Sequence, residues 1–189
     1  MTTPTTPERT DPEAATALAA AVREVERHVA AAGWDGPVRV FALVRTQDAL
    51  AAEPSLAAQL ATDVLAAAAV HPWHLTSVEQ EGLPAADDLE SLLAGLGWPP
   101  TVEGVAVTVE RVVLPPEAER LMPTDPAAAL TNLREHPDRS DVRLAVGVLR
   151  DGPAWCAVRS RLHDTDDEVV EGPDVVPGLV TAVRATLAY

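Results

Sequence analysis

A chain of 189 residues with an apolar fraction of 47% has enough material for one domain with a real core and is short for two. The net charge of −15 excludes non-specific binding to nucleic-acid phosphates or anionic lipid, which needs a basic surface, and no apolar run reaches bilayer-spanning length. The single cysteine, Cys156, excludes an internal disulfide, no Cys/His zinc spacing occurs, and a reducing cytoplasm is the expected compartment. All 14 basic residues are arginine, a bias that GC-rich coding explains without any functional demand.

Residues 1–10 are Thr/Pro-rich, without the apolar segment of a signal peptide or anchor, and are expected to be a disordered tail on one α+β domain spanning residues 11–189. Thr10-Asp-Pro-Glu13 reads as a helix start, with Thr10 as cap and Glu13 completing a capping box. Leu18, Val22, Val25 and Val29 then form one apolar stripe, and Gly33 stops the helix. Val38–Val44 reads as a strand, Thr46–Ala52 as a short helix and Ser55–Ala69 as an alanine-rich helix with Leu56, Leu60 and Val64 on one face. His71-Pro-Trp-His74 breaks it, and Leu75–Gln80 reads as a short strand.

Ala86–Leu96 reads as a helix and Val102–Leu114 as the longest strand, ended by Pro115-Pro116. A helix over Pro126–Glu135, capped by Thr124 or Asp125, leads to a hairpin of Val142–Leu149 and Ala154–Leu162. The last helix, Val175–Leu187, starts after Asp174. Gly33-Trp34 and Gly97-Trp98 each follow a helix and precede a strand, so both tryptophans are expected to cover equivalent helix ends, through duplication or through independent use of a common stop.

The hairpin register has functional consequences. An odd loop, Asp151-Gly-Pro153, pairs Val148 with Cys156, Val146 with Val158, Leu144 with Ser160 and Val142 with Leu162, making one apolar face. Arg143, Arg159 and Arg161 then share the outer face, with Trp155 near the turn, and could grip a carboxylate or phosphate with forked hydrogen bonds. Alternatively, local carboxylates, Glu110 on a neighbouring strand or residues of an acidic loop, neutralise these arginines, as surface ion pairs commonly do. If Arg159 faces outward, Arg159→Ala leaves folding nearly intact.

The remaining chemistry is weaker. His71 and His74 are candidate metal ligands with Glu79 or Glu81, but Pro72 forbids a regular helix across the pair. The run His163–Glu168 lacks the glycine and late glutamate of a calcium loop. Cys156 lies on the core face, where an inert thiol is expected. No phosphate-binding or nucleophile-elbow motif occurs, so neither a catalytic residue nor a cofactor is expected.

Clean alternation in the hairpin predicts a mostly antiparallel twisted sheet of 4–5 strands with helices packed on one face, with an α/β arrangement as the alternative. Gly33-Trp34-Asp35, Phe41-Ala-Leu-Val44, Val78-Glu79-Gln80, Trp98-Pro99, Val109-Glu110-Arg111, Glu135-His136-Pro137-Asp138-Arg139 and Leu149-Arg150-Asp151-Gly152 resemble a small uncharacterised actinobacterial family of acidic α+β proteins. The resemblance extends over most of the chain after the tail and implies lineage and fold, with no activity, cofactor or catalytic residue attached. The function read here is a cytoplasmic acidic binding or adaptor protein without catalysis, engaging a protein partner or forming a homodimer, with no nucleic-acid or membrane partner. The alternative is a sensor or enzyme for an anionic small molecule at Arg143, Arg159 and Arg161.

Overall fold

The computed structural model describes residues 11–188; the expected tail and Tyr189 lie outside them. Six strands form one antiparallel sheet: β1 (Arg39–Arg45), β2 (Leu75–Glu79), β3 (Gly104–Val113), β4 (Ser140–Leu149), β5 (Ala154–Ser160) and β6 (Val170–Gly172), in the order β2-β1-β3-β4-β5-β6. The helices are α1 (Pro12–Ala30), α2 (Thr46–Ala52), α3 (Thr62–Val70), α4 (Leu89–Ala94), α5 (Pro116–Arg120), α6 (Pro126–Glu135) and α7 (Pro177–Ala185). None of the described helices is long and apolar enough to cross a membrane. The α+β class and antiparallel sheet are as expected; the strand count exceeds expectation because β6, three residues long, pairs with β5.

Helices cover both faces of the sheet, not one. On the first face α1 buries Leu18, Val22, Val25 and Val29 against Ala106, Ala145 and Ala157, with Phe41, Leu43 and Leu75 beside them. On the second face Val183 and Leu187, in and just after α7, and Leu93 of α4 pack on Val40, Val105, Val107, Val146, Val148 and Cys156. The alternation in β3 and β4 is therefore large against small, not core against solvent. Small side chains let the α1 backbone lie close to the sheet, and a strand buried on both faces reads as a continuous apolar run. Each buried Val or Leu of α1 contributes about 1.5–3 kcal/mol relative to exposure.

Capping chemistry sets several helix starts. Asp11 caps α1 by accepting from the Glu13 N–H, and Thr10, the expected cap, lies outside the described residues; Asp88 caps α4 and Asp125 caps α6 in the same way. The expected helix over Ser55–Ala69 divides into a 3₁₀ turn, Pro54–Ala58, and α3, with Gln59–Ala61 between them. Leu56 and Leu60 are half-buried, so no core holds them on a continuous helix.

The β4–β5 loop is odd, as expected, but one residue earlier: Arg150–Gly152, closed by the Leu149 N–H donating to the Pro153 carbonyl. Val148 therefore pairs with Ala154, Val146 with Cys156, Leu144 with Val158 and Val142 with Ser160. The shift preserves the faces, because it moves the register by two. Arg150 leaves the ladder, and its guanidinium donates to the carbonyls of Leu187, Pro99 and Val102.

The two Gly-Trp stops differ. Each helix ends three residues before its glycine, at Ala30 and at Ala94, but Gly33 has a left-handed φ of +88° and Gly97 does not. Trp34 lies over arginines beyond the first face; Trp98 packs into the second core and donates to the Thr186 hydroxyl at 3.1 Å.

Candidate functional site

Strand pairing brings two of the predicted arginines together, since Arg143 and Arg159 are direct cross-strand partners. They lie beneath α1, not on an outer face: their relative exposures are 1% and 2%. Two cations this deep require anionic partners. Arg159 donates to both oxygens of Glu26 on α1 and reaches Asp166 at 2.6 Å and Asp164 at 3.4 Å in the loop before β6. Hydrogen bonding to Glu26, with Asp166 second, raises the Arg159 pKa above its already high ordinary value.

Arg143 donates to Glu110 at 2.9 Å and to the Gly33 carbonyl. Arg161, half-exposed, grips Asp35 with a fork at 2.8 and 2.7 Å, which holds the Asp35 carboxyl below its ordinary range. Trp34 closes this cluster. Its ring lies 4.4 Å from the Arg143 guanidinium and 5.4 Å from that of Arg161, and its indole donates to Asp164. Asp35 has a φ of +65°, unusual outside glycine, and is held there by the Arg161 fork and by its own N–H donating to Glu110.

The predicted anion grip is thus filled from within the chain by Glu26, Asp35, Glu110, Asp164 and Asp166. Trp155 is not part of it. It lies four residues before Arg159 on β5, about 13 Å along the strand, and packs against the first core. The acidic run His163–Glu168 supplies Asp164 and Asp166 to Arg159, while His163 and Thr165 bond Glu168.

A cavity of about 40 Å³ lies under the C-terminal end of α1, lined by Arg143, Thr108, Arg39, Gly33, Gly36 and neighbours. Three buried polar atoms, Arg143 Nε and Nη1 and Thr108 Oγ1, have no protein partner.

A larger concavity lies elsewhere. A groove of about 520 Å³ runs between the first half of α1 and the segment from Val70 to Leu75. Ala17, Ala20 and Ala21 form its α1 wall, Val70, Pro72, Trp73 and Leu75 the facing wall, and Glu13, Thr16, Glu24, His71 and His74 bring polar groups to it. Small side chains on α1 leave the space open, and Pro72 turns the chain so that Trp73 lies across it.

The facing wall is fixed by polar contacts. The Trp73 indole donates to Asp11 at 2.9 Å, and the Arg45 guanidinium stacks on the ring at 3.6 Å. His74 Nδ1 is 2.8 Å from the buried Thr46 hydroxyl, itself 2.7 Å from that of Thr76. His74 is thereby engaged with hydroxyls, while His71 is exposed. Among the described residues, no three or more His, Cys, Asp or Glu side chains gather as a metal site requires. Cys156 is fully buried in the second core.

Sequence reasoning reached His71, Trp73 and His74 as a loop but missed the groove. The legible signal was the alanine flank of α1, Ala17-x-x-Ala20-Ala21, beside a stripe of larger residues.

Residues 18–188 match the family model described as PPA1309-like protein, and the chain belongs to that family. No curated protein and no solved structure matches it.

Proposed function

We propose that this is a non-catalytic binding protein, cytoplasmic and of actinobacterial lineage, folded as one domain over residues 11–189, whose ligand surface is the groove between α1 and the Val70–Leu75 segment. The observation that carries the reading is the groove itself: about 520 Å³ of mostly apolar space with a few polar groups at its edges. That volume and chemistry are typical of small-molecule sites and of clefts for a single inserted side chain or short segment.

The alternative, an anion sensor or enzyme at Arg143, Arg159 and Arg161, has less support. A ligand there would have to displace carboxylates that already satisfy the guanidinium groups. Among the described residues, the His74 ring meets the Thr46 hydroxyl and no carboxylate, which gives acid–base chemistry there no support.

Native mass spectrometry tests the reading, with the untagged full chain purified from a GC-rich bacterial host and measured before and after denaturation. The expected result is extra mass released on denaturation and absent from Ala20→Trp, which fills the groove from an exposed helix position. A bare chain in both samples, or mass retained by Ala20→Trp, would count against the groove.

A further inference from the structure

We infer that the groove takes an organic cation with an apolar body, an inference that rests on the groove being the ligand site. The argument is charge complementarity. Arg23 and Arg27, which share a neighbouring concavity with Glu24, have carboxylate partners of their own. They turn to the β5–β6 side, where they meet Glu171 and Asp166. Glu13 and Glu24 turn to the groove, and neither has an ion-pair or hydrogen-bonding side-chain partner among the described residues.

The two carboxylates are eleven residues apart, about 16 Å along a helix axis, and so stand towards the two ends of the groove. No arginine lines it. Of the other cations near the groove, Arg45 is stacked on Trp73 and turned towards Glu103. Between the acidic ends the walls are alanine, valine, proline, leucine and indole. An anionic amphiphile would meet Glu13 or Glu24 at either end without a counter-charge. A neutral one would gain only the apolar burial. A cation with an apolar body gains both, in a protein whose net charge of −15 already concentrates cations at its surface.

Three probes of one chain length separate the terms: octyltrimethylammonium, octanoate and 1-octanol, each titrated into the full chain and followed by amide chemical shifts. The expected result is movement of Thr16, Ala17, Ala20, Trp73 and His74, with octyltrimethylammonium binding at least about tenfold more tightly than octanoate. Glu13→Gln combined with Glu24→Gln, both at exposed positions, should bring the cation to the affinity of 1-octanol. Ala20→Trp should abolish all three. If octanoate binds as tightly as the cation, or the double variant keeps the cation preference, the charge inference falls while the groove reading stands. If no probe moves the groove amides, both fall.

Discussion

Arg159 on β5 and Glu26 on α1 form a forked ion pair, 2.6 and 2.8 Å, with side-chain exposures of 3% and 2%. The pair ties the helix to the sheet where the small-residue floor gives way to charge. Burying both ions costs desolvation that their attraction largely returns, so removing one partner is far worse than removing both. Arg159→Met alone should therefore lose about 3–5 kcal/mol of unfolding free energy. Glu26→Leu with Arg159→Met should recover most of that loss. Urea denaturation of the two single variants and the double variant forms the cycle; equal, additive losses would mean that the pair is not coupled.

The carboxylates paired with arginine around this face predict its acid sensitivity. Hydrogen bonding to Arg159 lowers the Asp166 carboxyl, to Arg23 the Glu171 carboxyl and to Arg161 the Asp35 carboxyl. A carboxyl depressed in the folded state binds fewer protons there than in the unfolded chain. Its stabilisation is present above the unfolded value and disappears as pH falls through the folded one. The window therefore lies below the ordinary carboxylate range of about 4. Thermal melts between neutral pH and that window should show Tm falling steeply at the acid end. Glu171→Gln should lower Tm at neutral pH and flatten the acid limb, because Arg23 then has no ionised partner there to lose.

Much of this architecture was legible because the elements obey local rules. The β1, β3, β4 and β5 strands carry apolar runs, Asp125 caps α6, and Gly33 turns the chain just after α1. What escaped was the meaning of small residues. Ala106, Ala145, Gly147 and Ala157 look like the polar-tolerant half of an alternating strand, yet they are the floor under a close-packed helix. With that face read as an outer one, Arg143, Arg159 and Arg161 look free for a ligand, and of their carboxylate partners only Glu110 is named by the sequence pattern. Glu26 could not be found the same way: it is one acid among several on α1, and only the helix placement turns it inward. The groove had no motif at all, because an open space is made by what alanine lacks.

That floor makes a sharp prediction at Gly147. A Cβ there would collide with Val22 Cγ2 and lie 3.1 Å from Leu18 Cδ1, both on α1 and both fully buried. Gly147→Ala should cost about 1–3 kcal/mol, the usual penalty of overpacking. Val22→Ala in that background should return part of it by making room, although the same change alone creates a void and destabilises. Chemical denaturation of the three variants tests this; no rescue would mean that the helix is held off the sheet at this point.

The last prediction concerns the cavity under the end of α1. Arg143 Nε and Nη1 and Thr108 Oγ1 are buried without protein partners, and an unsatisfied buried group costs about 1–3 kcal/mol. Their cavity holds about 40 Å³, and a water needs roughly 10–15 Å³ together with two or more polar partners. The Nε and Nη1 hydrogens point to different sides of the guanidinium, so separate waters suit them better than one forked anion. Ordered water is therefore expected against Arg143 and Thr108 in a high-resolution crystal structure, unchanged when chloride is replaced by bromide. Thr108→Val removes one partner but not the Arg143 donors, and should lower stability without emptying the site. Bromide density at Arg143 would replace water by a halide site, and a dry cavity would leave the buried guanidinium without the partners that its chemistry demands.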